Sequence, residues 1–359
     1  MKFTIDQANL ARAIAIVQPV AEAKGAMPIL ATVLLNARDG RLRLTCSDLT
    51  VTSAASTECD VEAAGSVCVD ARKLLDIAKA LPRGEVSVAM LGASGIVVKA
   101  GKRKFEMPTL SADDYPAQIP VPSGGVEFTA DALRDHLSRV SASVSTDDTR
   151  PHLACVLLEV TAKETVSVST DGHRLTVAAG ATTGSLRVQI PAKGAAEIAK
   201  LAARGNPVTI STSLSTVFAR TADVEIACKL IDAAFPAYDQ VIPKVEPTTR
   251  VTVKRAALLD SLRAVSLVSS DRTAGVRLEF KAARLAVSSE NPDVGSGSDE
   301  VPIDNAGSLL TIGVNSRYLI DALNACDDES DVVIDATGEL DPLKITGGGV
   351  TCVVMPMRI

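Results

Sequence analysis

The sequence predicts an α+β protein built from three similar copies of one unit, each with two helices on one side of antiparallel sheet. Three observations carry this. First, one strand-to-helix phrase recurs: Lys2-Phe3-Thr4-Ile5 leads into a helix over 6–17, Glu127-Phe128-Thr129-Ala130 into 131–140, and Arg250-Val251-Thr252-Val253 into 254–265. Phe3, Phe128 and Val251 lie 125 and 123 residues apart, the length of a domain rather than of a solenoid repeat. Second, another strand-to-helix phrase follows in each copy: 66–69 into 70–81, 186–190 into 191–203, and 310–314 into 315–325. Third, two proline-bearing stretches with few periodic apolar residues separate the copies.

Each opening strand alternates, and each opening helix carries an apolar stripe of helical period, as in Leu258, Leu259, Leu262 and Val265. A strand pair comes next: 29–36 with 41–45, 152–160 with 165–169, and 275–280 with 284–288. Two or three further strands close the copies, ending at 105–108, 226–230 and 352–357. Pro191 and Asn315 are ordinary helix-start residues. The separating stretches run from Asp113-Asp114-Tyr115-Pro116 to Gly125 and from Phe235-Pro236-Ala237-Tyr238 to Pro247, and read as stiff linkers. They set an N-terminal domain at 1–121, a central one at 126–244 and a C-terminal one at 249–359. Sheet edges left at the ends of the copies invite continuation from one copy to the next.

Apolar residues make up 47% of the 359 and charged residues 22%, an ordinary globular composition. Aromatics are 3% with no Trp, which argues against base-stacking platforms for single strands. A net charge of −6 and a pI near 5.3 argue against a generally basic nucleic-acid coat but leave room for a local basic surface. Cys46, Cys59, Cys68, Cys155, Cys228, Cys326 and Cys352 form no Cys-x-x-Cys and sit singly in apolar patterns, as reduced buried thiols of a cytosolic protein do. His136, His152 and His173 are far apart without metal-ligand spacing, so neither a metal nor a cofactor is expected. The first residues read as an amphipathic helix interrupted by Asp6 and Arg12, not as a signal peptide. No apolar run approaches a membrane span, so a soluble cytoplasmic protein is expected.

The six helical windows 6–17, 70–83, 131–140, 191–204, 254–265 and 314–325 hold fourteen basic and eight acidic residues, a balance of +6 that leaves −12 for the rest. One such helix would mean little, since surface helices favour Lys and Arg. In a threefold-repeated acidic chain the excess points to a basic helical face. Such a face holds DNA phosphates without reading sequence. Two chains closed into a ring would present twelve helices; at about 8–10 Å between axes they enclose a bore of roughly 30–40 Å, room for a duplex.

Two short stretches carry chemistry that the fold alone does not need. In Val168-Ser169-Thr170-Asp171-Gly172-His173-Arg174-Leu175, Asp-Gly supplies the positive φ of a tight hairpin, but a turn requires neither the imidazole nor the guanidinium. The end, Met355-Pro356-Met357-Arg358-Ile359, is soft and apolar and bears one arginine; thioethers suit surfaces that accept several partners. Taken alone, these stretches also read as a hairpin loop and a last buried strand.

With Met1-Lys2-Phe3-Thr4, Pro28-Ile29-Leu30, Ala112-Asp113-Asp114-Tyr115-Pro116 and Phe235-Pro236-Ala237-Tyr238, the hairpin and tail resemble the bacterial sliding clamp family, the beta subunits of DNA polymerase III. The likeness spans the chain. It implies the DNA clamp fold: a head-to-tail homodimeric ring of six similar domains that encircles double-stranded DNA independently of sequence. It implies a processivity factor for DNA replication, an accessory subunit of a DNA-directed DNA polymerase without a catalytic site of its own. Its implied partners are the replicative polymerase subunit, the clamp loader and other clamp-binding-motif proteins. A topological link turns release into recapture, an effective-concentration effect.

The resemblance places a partner-peptide cleft at Leu153, Thr170, Gly172, His173, Arg174, Leu175 and Pro243, completed by Asn315, Tyr318, Val353, Met355, Pro356, Met357 and Arg358. By residue type, Leu153, Leu175, Pro243, Val353 and Met355 offer an apolar pocket for an anchor side chain. Met357 and Tyr318 flank a second groove, while His173, Arg174, Asn315 and Arg358 offer hydrogen bonds to peptide carbonyls or carboxylates. Lys24 stands where the family carries a basic DNA contact and, with Arg72, Lys73, Arg134 and Lys193, makes up the expected DNA-facing set. At the dimer interface Phe105 of one chain is expected to meet Leu267 and Val268 of the other. The chain departs from the family pattern at Asp147 and Asp148, acids where neutral or basic DNA-facing residues occur, and at Thr273, a cleft-rim position that can be aromatic.

Two other function classes fit the sequence less well. An enzyme using Asp171, His173 and Arg174 lacks a partnered nucleophile and leaves the threefold repeat unexplained. A sequence-specific DNA-binding protein would be retained on short linear duplexes with base preference, whereas a clamp slides off free ends.

Overall fold

The computed structural model describes residues 1–22, 25–92, 94–304, 309–327 and 331–358. In β1 (Lys2–Asp6) side chains alternate between core and solvent, and Asp6 accepts hydrogen bonds from the Ala8 and Asn9 amides. The strand's last residue is therefore the cap of α1 (Gln7–Val17). Pro28 opens a 3-10 turn over Pro28–Ala31, so β2 (Thr32–Arg38) starts later than the expected residue 29. Then come β3 (Arg41–Ser47), β4 (Val51–Glu58), β5 (Asp60–Ala63) and β6 (Gly65–Asp70). Asp70 accepts from the Lys73 amide and caps α2 (Ala71–Ala80); β7 (Glu85–Met90), β8 (Gly95–Ala100) and β9 (Arg103–Leu110) close the copy.

The second copy follows the same plan. After β10 (Val126–Phe128), Thr129 caps α3 (Ala130–Ser141). Pro151 starts another 3-10 turn, Pro151–Leu153, which shortens the expected 152–160 strand to β11 (Cys155–Val160). β12 (Thr165–Thr170), β13 (Arg174–Gly180), β14 (Leu186–Pro191), α4 (Ala192–Ala202), β15 (Val208–Ser213), β16 (Thr216–Arg220) and β17 (Val224–Lys229) complete it. The third copy runs β18 (Thr249–Lys254), α5 (Arg255–Val265), β19 (Gly275–Lys281), β20 (Arg284–Asn291), β21 (Gly295–Pro302) and β22 (Leu310–Asn315). Asn315 then caps α6 (Ser316–Ala325), ahead of β23 (Asp331–Ala336), β24 (Leu343–Gly347) and β25 (Val350–Val354).

These elements fall into two compact units, Met1–Phe128 with Arg204–Leu230, and Thr129–Ala203 with Ile231–Ile359. In the first, thirteen strands form one sheet in the order β10-β15-β16-β17-β4-β3-β2-β6-β9-β8-β7-β1-β5. Its two copies are joined by β17 lying antiparallel to β4, from Val224↔Ala55 to Cys228↔Val51. In the second unit an eight-stranded sheet, β14-β11-β12-β13-β25-β24-β23-β18, is joined in the same way by β13 and β25, from Arg174↔Val354 to Ala178↔Val350. A four-stranded sheet, β21-β20-β19-β22, completes that unit. The sheets thus continue across both copy junctions, as open edges favour.

The helices pack in pairs, α1 with α2, α3 with α4 and α5 with α6; α1 lies on β3 and β4, α3 on β12 and β13, and α5 on β20 and β21. Phe3, Phe128, Phe218 and Phe280 are fully buried anchors. Both linkers are pinned by aromatic rings rather than acting as free spacers. Tyr115 is buried, with its hydroxyl donating to the Thr45 carbonyl at 3.2 Å, and Phe235 is buried among Cys155, Leu157, Val168, Leu175 and Val353. No disulfide joins the seven cysteines; six are buried and Cys59 is half-buried. Among the described residues no helix is long and apolar enough to cross a membrane.

Candidate functional site

β12 and β13 pair as far as Thr170↔Leu175, and Asp171, Gly172 and His173 turn the chain. Gly172 holds φ at 89°, where a side chain would be strained. The turn is fixed from within. Asp171 Oδ1 accepts from the amides of His173 at 2.9 Å and Arg174 at 3.0 Å. Thr170 Oγ1 accepts from the Gly172 amide at 3.1 Å and donates to the Arg174 carbonyl at 2.7 Å. Arg150 Nη1 donates to the Asp171 carbonyl at 3.1 Å.

Arg174 turns inward. Its Nε donates to Asp171 Oδ2 at 3.0 Å, its Nη1 to Asp321 Oδ2 at 2.5 Å and its Nη2 to the Ala142 carbonyl. The guanidinium carbon also lies 4.5 Å from the Tyr318 ring centroid, and the side chain is 13% exposed. Three of five N–H donors are held inside the chain. Arg174 therefore ties the second copy's hairpin to α6 of the third, rather than offering a free guanidinium to a peptide. His173 is exposed and stacks beside Tyr318, with ring centroids 6.5 Å apart and planes 16° from parallel.

Beyond β25 the tail bridges the same two copies. The Met355 amide donates to the His173 carbonyl at 2.9 Å and the Met357 amide to the Gly313 carbonyl at 2.8 Å. Met357 lies over Gly275, where a Cβ would sit 3.6 Å from its Cε. Asn315, expected to face a peptide, is taken up by the fold: its Oδ1 accepts from the amides of Arg317 and Tyr318, and its Nδ2 donates to the Thr273 carbonyl at 3.1 Å.

The apolar residues divide into floor and rim. Leu153, Leu175 and Val353 are buried, the last two in one cluster with Phe235 against which Tyr238 and Ile242 pack. Pro243, Tyr318, Pro356 and Met357 are half-buried, while Gly172, His173, Met355 and Arg358 are exposed. Sequence reasoning missed Asp321 and Arg150 as partners of the hairpin, and Tyr238 and Ile242 as its support. Asp321 leaves a signal, since it stands three residues after Tyr318 on one helix face.

The remaining expected residues lie elsewhere. Arg72 and Lys73 are exposed on α2, and Lys193 is exposed in the first turn of α4. Arg134 is exposed on α3 but pairs with Asp131 at 3.0 Å and Asp135 at 3.3 Å. Lys24 lies outside the described residues. Phe105 is half-buried on β9, Leu267 is 81% exposed just after α5, and Val268 is half-buried beside it. Asp147 accepts from the Thr149 hydroxyl at 2.6 Å, the Thr149 amide at 2.9 Å and Arg150 Nε at 2.8 Å, which hold its carboxyl at about 2. Asp148 is exposed beside it, and Thr273 is exposed with its carbonyl bonded to Asn315.

Comparison with known proteins places this geometry. Three family models match almost the whole chain: the N-terminal domain of the DNA polymerase III beta subunit at residues 1–120, its central domain at 127–237 and its C-terminal domain at 239–358. A beta sliding clamp from Pseudomonas putida is 32% identical over 371 residues, covering all of both chains. The DNA polymerase III subunit beta from Pseudomonas aeruginosa superposes with a TM-score of 0.94 at 30% identity, again over both entire chains. A beta sliding clamp from Caulobacter crescentus superposes with a TM-score of 0.93 at 28% identity, covering 100% of this chain and 99% of that one. The threefold plan, the two sheet joints and these full-length matches agree, and the chain belongs to the family of DNA polymerase III beta subunits, the beta sliding clamps.

Proposed function

We propose that two copies of this chain close head to tail around duplex DNA, and that the hairpin-and-tail site receives a short apolar peptide from partner proteins. As a clamp-family member the chain is a non-catalytic processivity factor of DNA replication. One observation carries the ring. At each internal junction the second strand of a hairpin pairs with the last strand of the following copy: β4 with β17, β13 with β25. The same rule leaves β21 of the third copy to pair with β9 of the first. Among the described residues β21 pairs with β20 alone, and residues 103–107 of β9 pair with β8 alone. Joining β21 of one chain to β9 of another, twice, satisfies both edges. Leu267, 81% exposed, and Val268, packed near Gly297 of β21, would meet Phe105 of β9 at that seam.

The three domains are taken as 1–121, 126–244 and 249–359. Arg72, Lys73, Arg134 and Lys193 face the DNA backbone and hold it without base contacts. The cleft's partners are the replicative polymerase subunit, the clamp loader and other proteins bearing a clamp-binding motif, all in the cytoplasm. The Caulobacter crescentus clamp carries polyethylene glycol at a region described as tethering the beta-motif, which supports a cleft for an extended chain. The buried floor and the exposed His173–Met355 rim suit one apolar anchor flanked by backbone contacts.

Light scattering followed by retention on circular and linearised DNA tests this. A two-chain particle held on circles and lost from linear ends is expected; a monomer, or equal retention on both, overturns the ring. Replacing Leu267 and Val268 by Ala should lower the mass towards one chain, and an unaltered dimer counts against that seam. Deleting residues 355–359 should leave the dimer intact and abolish partner binding, so undiminished affinity for the polymerase subunit refutes the cleft.

A further inference from the structure

The first unit contains a second copy of the hairpin geometry. Ser47↔Thr52 closes the β3–β4 turn as Thr170↔Leu175 closes the β12–β13 turn, with four residues between in each case. Asp48 Oδ1 accepts from the amides of Thr50 at 2.8 Å and Val51 at 2.6 Å, and Ser47 Oγ from the Leu49 amide at 3.2 Å. Asp171 and Thr170 make the same bonds in the second unit. The position held there by Gly172 is here Leu49, with φ at 71°. A leucine in the left-handed region is strained by about 1–2 kcal/mol, which marks a position where the side chain's placement matters. The segment after Tyr115 folds back over β3, with Gln118 Nε2 donating to Thr45 Oγ1 at 3.3 Å.

A hollow of about 130 Å³ lies between that segment and the joint of β4 with β17. Phe218, fully buried, lines it, and Leu49 and Ile119 line it as well, 42% and 49% exposed. This suits a single aliphatic side chain, far below the roughly 300–1,000 Å³ of a small-molecule pocket. Arg43 is paired with Glu225, whereas among the described residues no acid pairs with Lys229, which is exposed in the same lining. The Arg43–Glu225 pair cancels, which leaves Lys229 as the cation this lining can offer a ligand.

The geometry points to a second peptide-docking site at the junction of the first and second copies, for an extended segment that sets one aliphatic side chain on Phe218 between Leu49 and Ile119 and a carboxylate beside Lys229. The inference rests on reading the hairpin-and-tail site as a peptide cleft, whose architecture it repeats. The two sites differ in selectivity. Leu49, Thr50 and Val51 stand where the other has Gly172, His173 and Arg174, and Ala227 stands where it has Val353, so this site offers neither an imidazole nor a guanidinium at its turn.

The test is titration of the full-length, methyl-labelled protein with acetyl-Gly-Leu-Asp-Gly-amide, followed by methyl NMR. Saturable shifts at the Leu49 and Ile119 methyls are expected, and in Ile119→Ala the shift at the Leu49 methyls should be lost. Binding there should weaken about three- to fivefold in Lys229→Ala and with the Asn analogue of the peptide, as for a surface ion pair. Silent Leu49 and Ile119 methyls alongside responsive Leu153 and Leu175 methyls overturn this inference alone. The converse pattern overturns the cleft reading alone, and silence at both sites overturns both. Equal affinity for the Asp and Asn peptides overturns the acidic occupant.

Discussion

Removing the Arg174 side chain tests whether the hairpin is held by the fold. Arg174→Ala deletes hydrogen bonds to Asp171, Asp321 and the Ala142 carbonyl and the stacking on Tyr318. Charge-assisted bonds contribute about 1.5–3 kcal/mol each when shielded, less where the partner is as exposed as Asp321, at 35%. The ring contact adds about 0.5–1 kcal/mol, and freeing the long side chain returns about 2 kcal/mol of rotamer entropy. The net loss is about 3 kcal/mol, a fall in melting temperature of about 6–12 °C for a unit of this size. Urea unfolding followed by circular dichroism measures it. A double-mutant cycle with Asp321→Ala should return a coupling of about 1–2 kcal/mol. A coupling below about 0.3 kcal/mol, within the scatter of independent sites, would refute the tie between hairpin and α6.

Three further outcomes follow from local geometry. The depressed Asp147 carboxyl contributes fully above its ordinary value of 3.8 and loses that contribution as pH falls through about 2; Thr149→Val should raise its NMR titration midpoint, and an unmoved midpoint rules out the hydroxyl as a cause. Burial pushes the Cys352 thiol up to about 12, so iodoacetamide at pH 8 should label half-buried Cys59 well before Cys352; comparable rates by mass spectrometry contradict the packing. A Cβ at Gly180 would collide with His136 Nε2, and that ring is buried and bonded through Nδ1 to Ser167 Oγ at 3.0 Å. Gly180→Ala should therefore cost about 1–3 kcal/mol in chemical denaturation and be largely rescued by His136→Ala; a neutral single substitution would show that the ring yields.

The repeat plan was legible because its signals are local. Asp6, Asp70, Thr129 and Asn315 cap helices by bonds spanning two or three residues, so the strand-to-helix phrases read correctly. Pro28 and Pro151 misled, since both precede apolar runs that read as strand but first complete a 3-10 turn. Family likeness brought the hairpin and tail together; in the structure the pairing of β13 with β25 does so, a contact that no local pattern encodes. Arg174's inward turn was illegible for the same reason, because Asp321 lies 147 residues along the chain.

The joint between β17 and β4 has a consequence for how the molecule comes apart. The stretch repeated in sequence is not the stretch that holds together: β10 and β15–β17, encoded in the central copy, belong to the first unit, while α3, α4 and β11–β14 belong to the second. Amide exchange should therefore protect the central copy in two separate groups, each following a different neighbour's opening. A lesion at Phe218 would loosen the N-terminal copy before it touched the hairpin, and a protease cut near residue 121 would bare β4 rather than release a finished domain. The sequence repeats in thirds; the packing divides it in two.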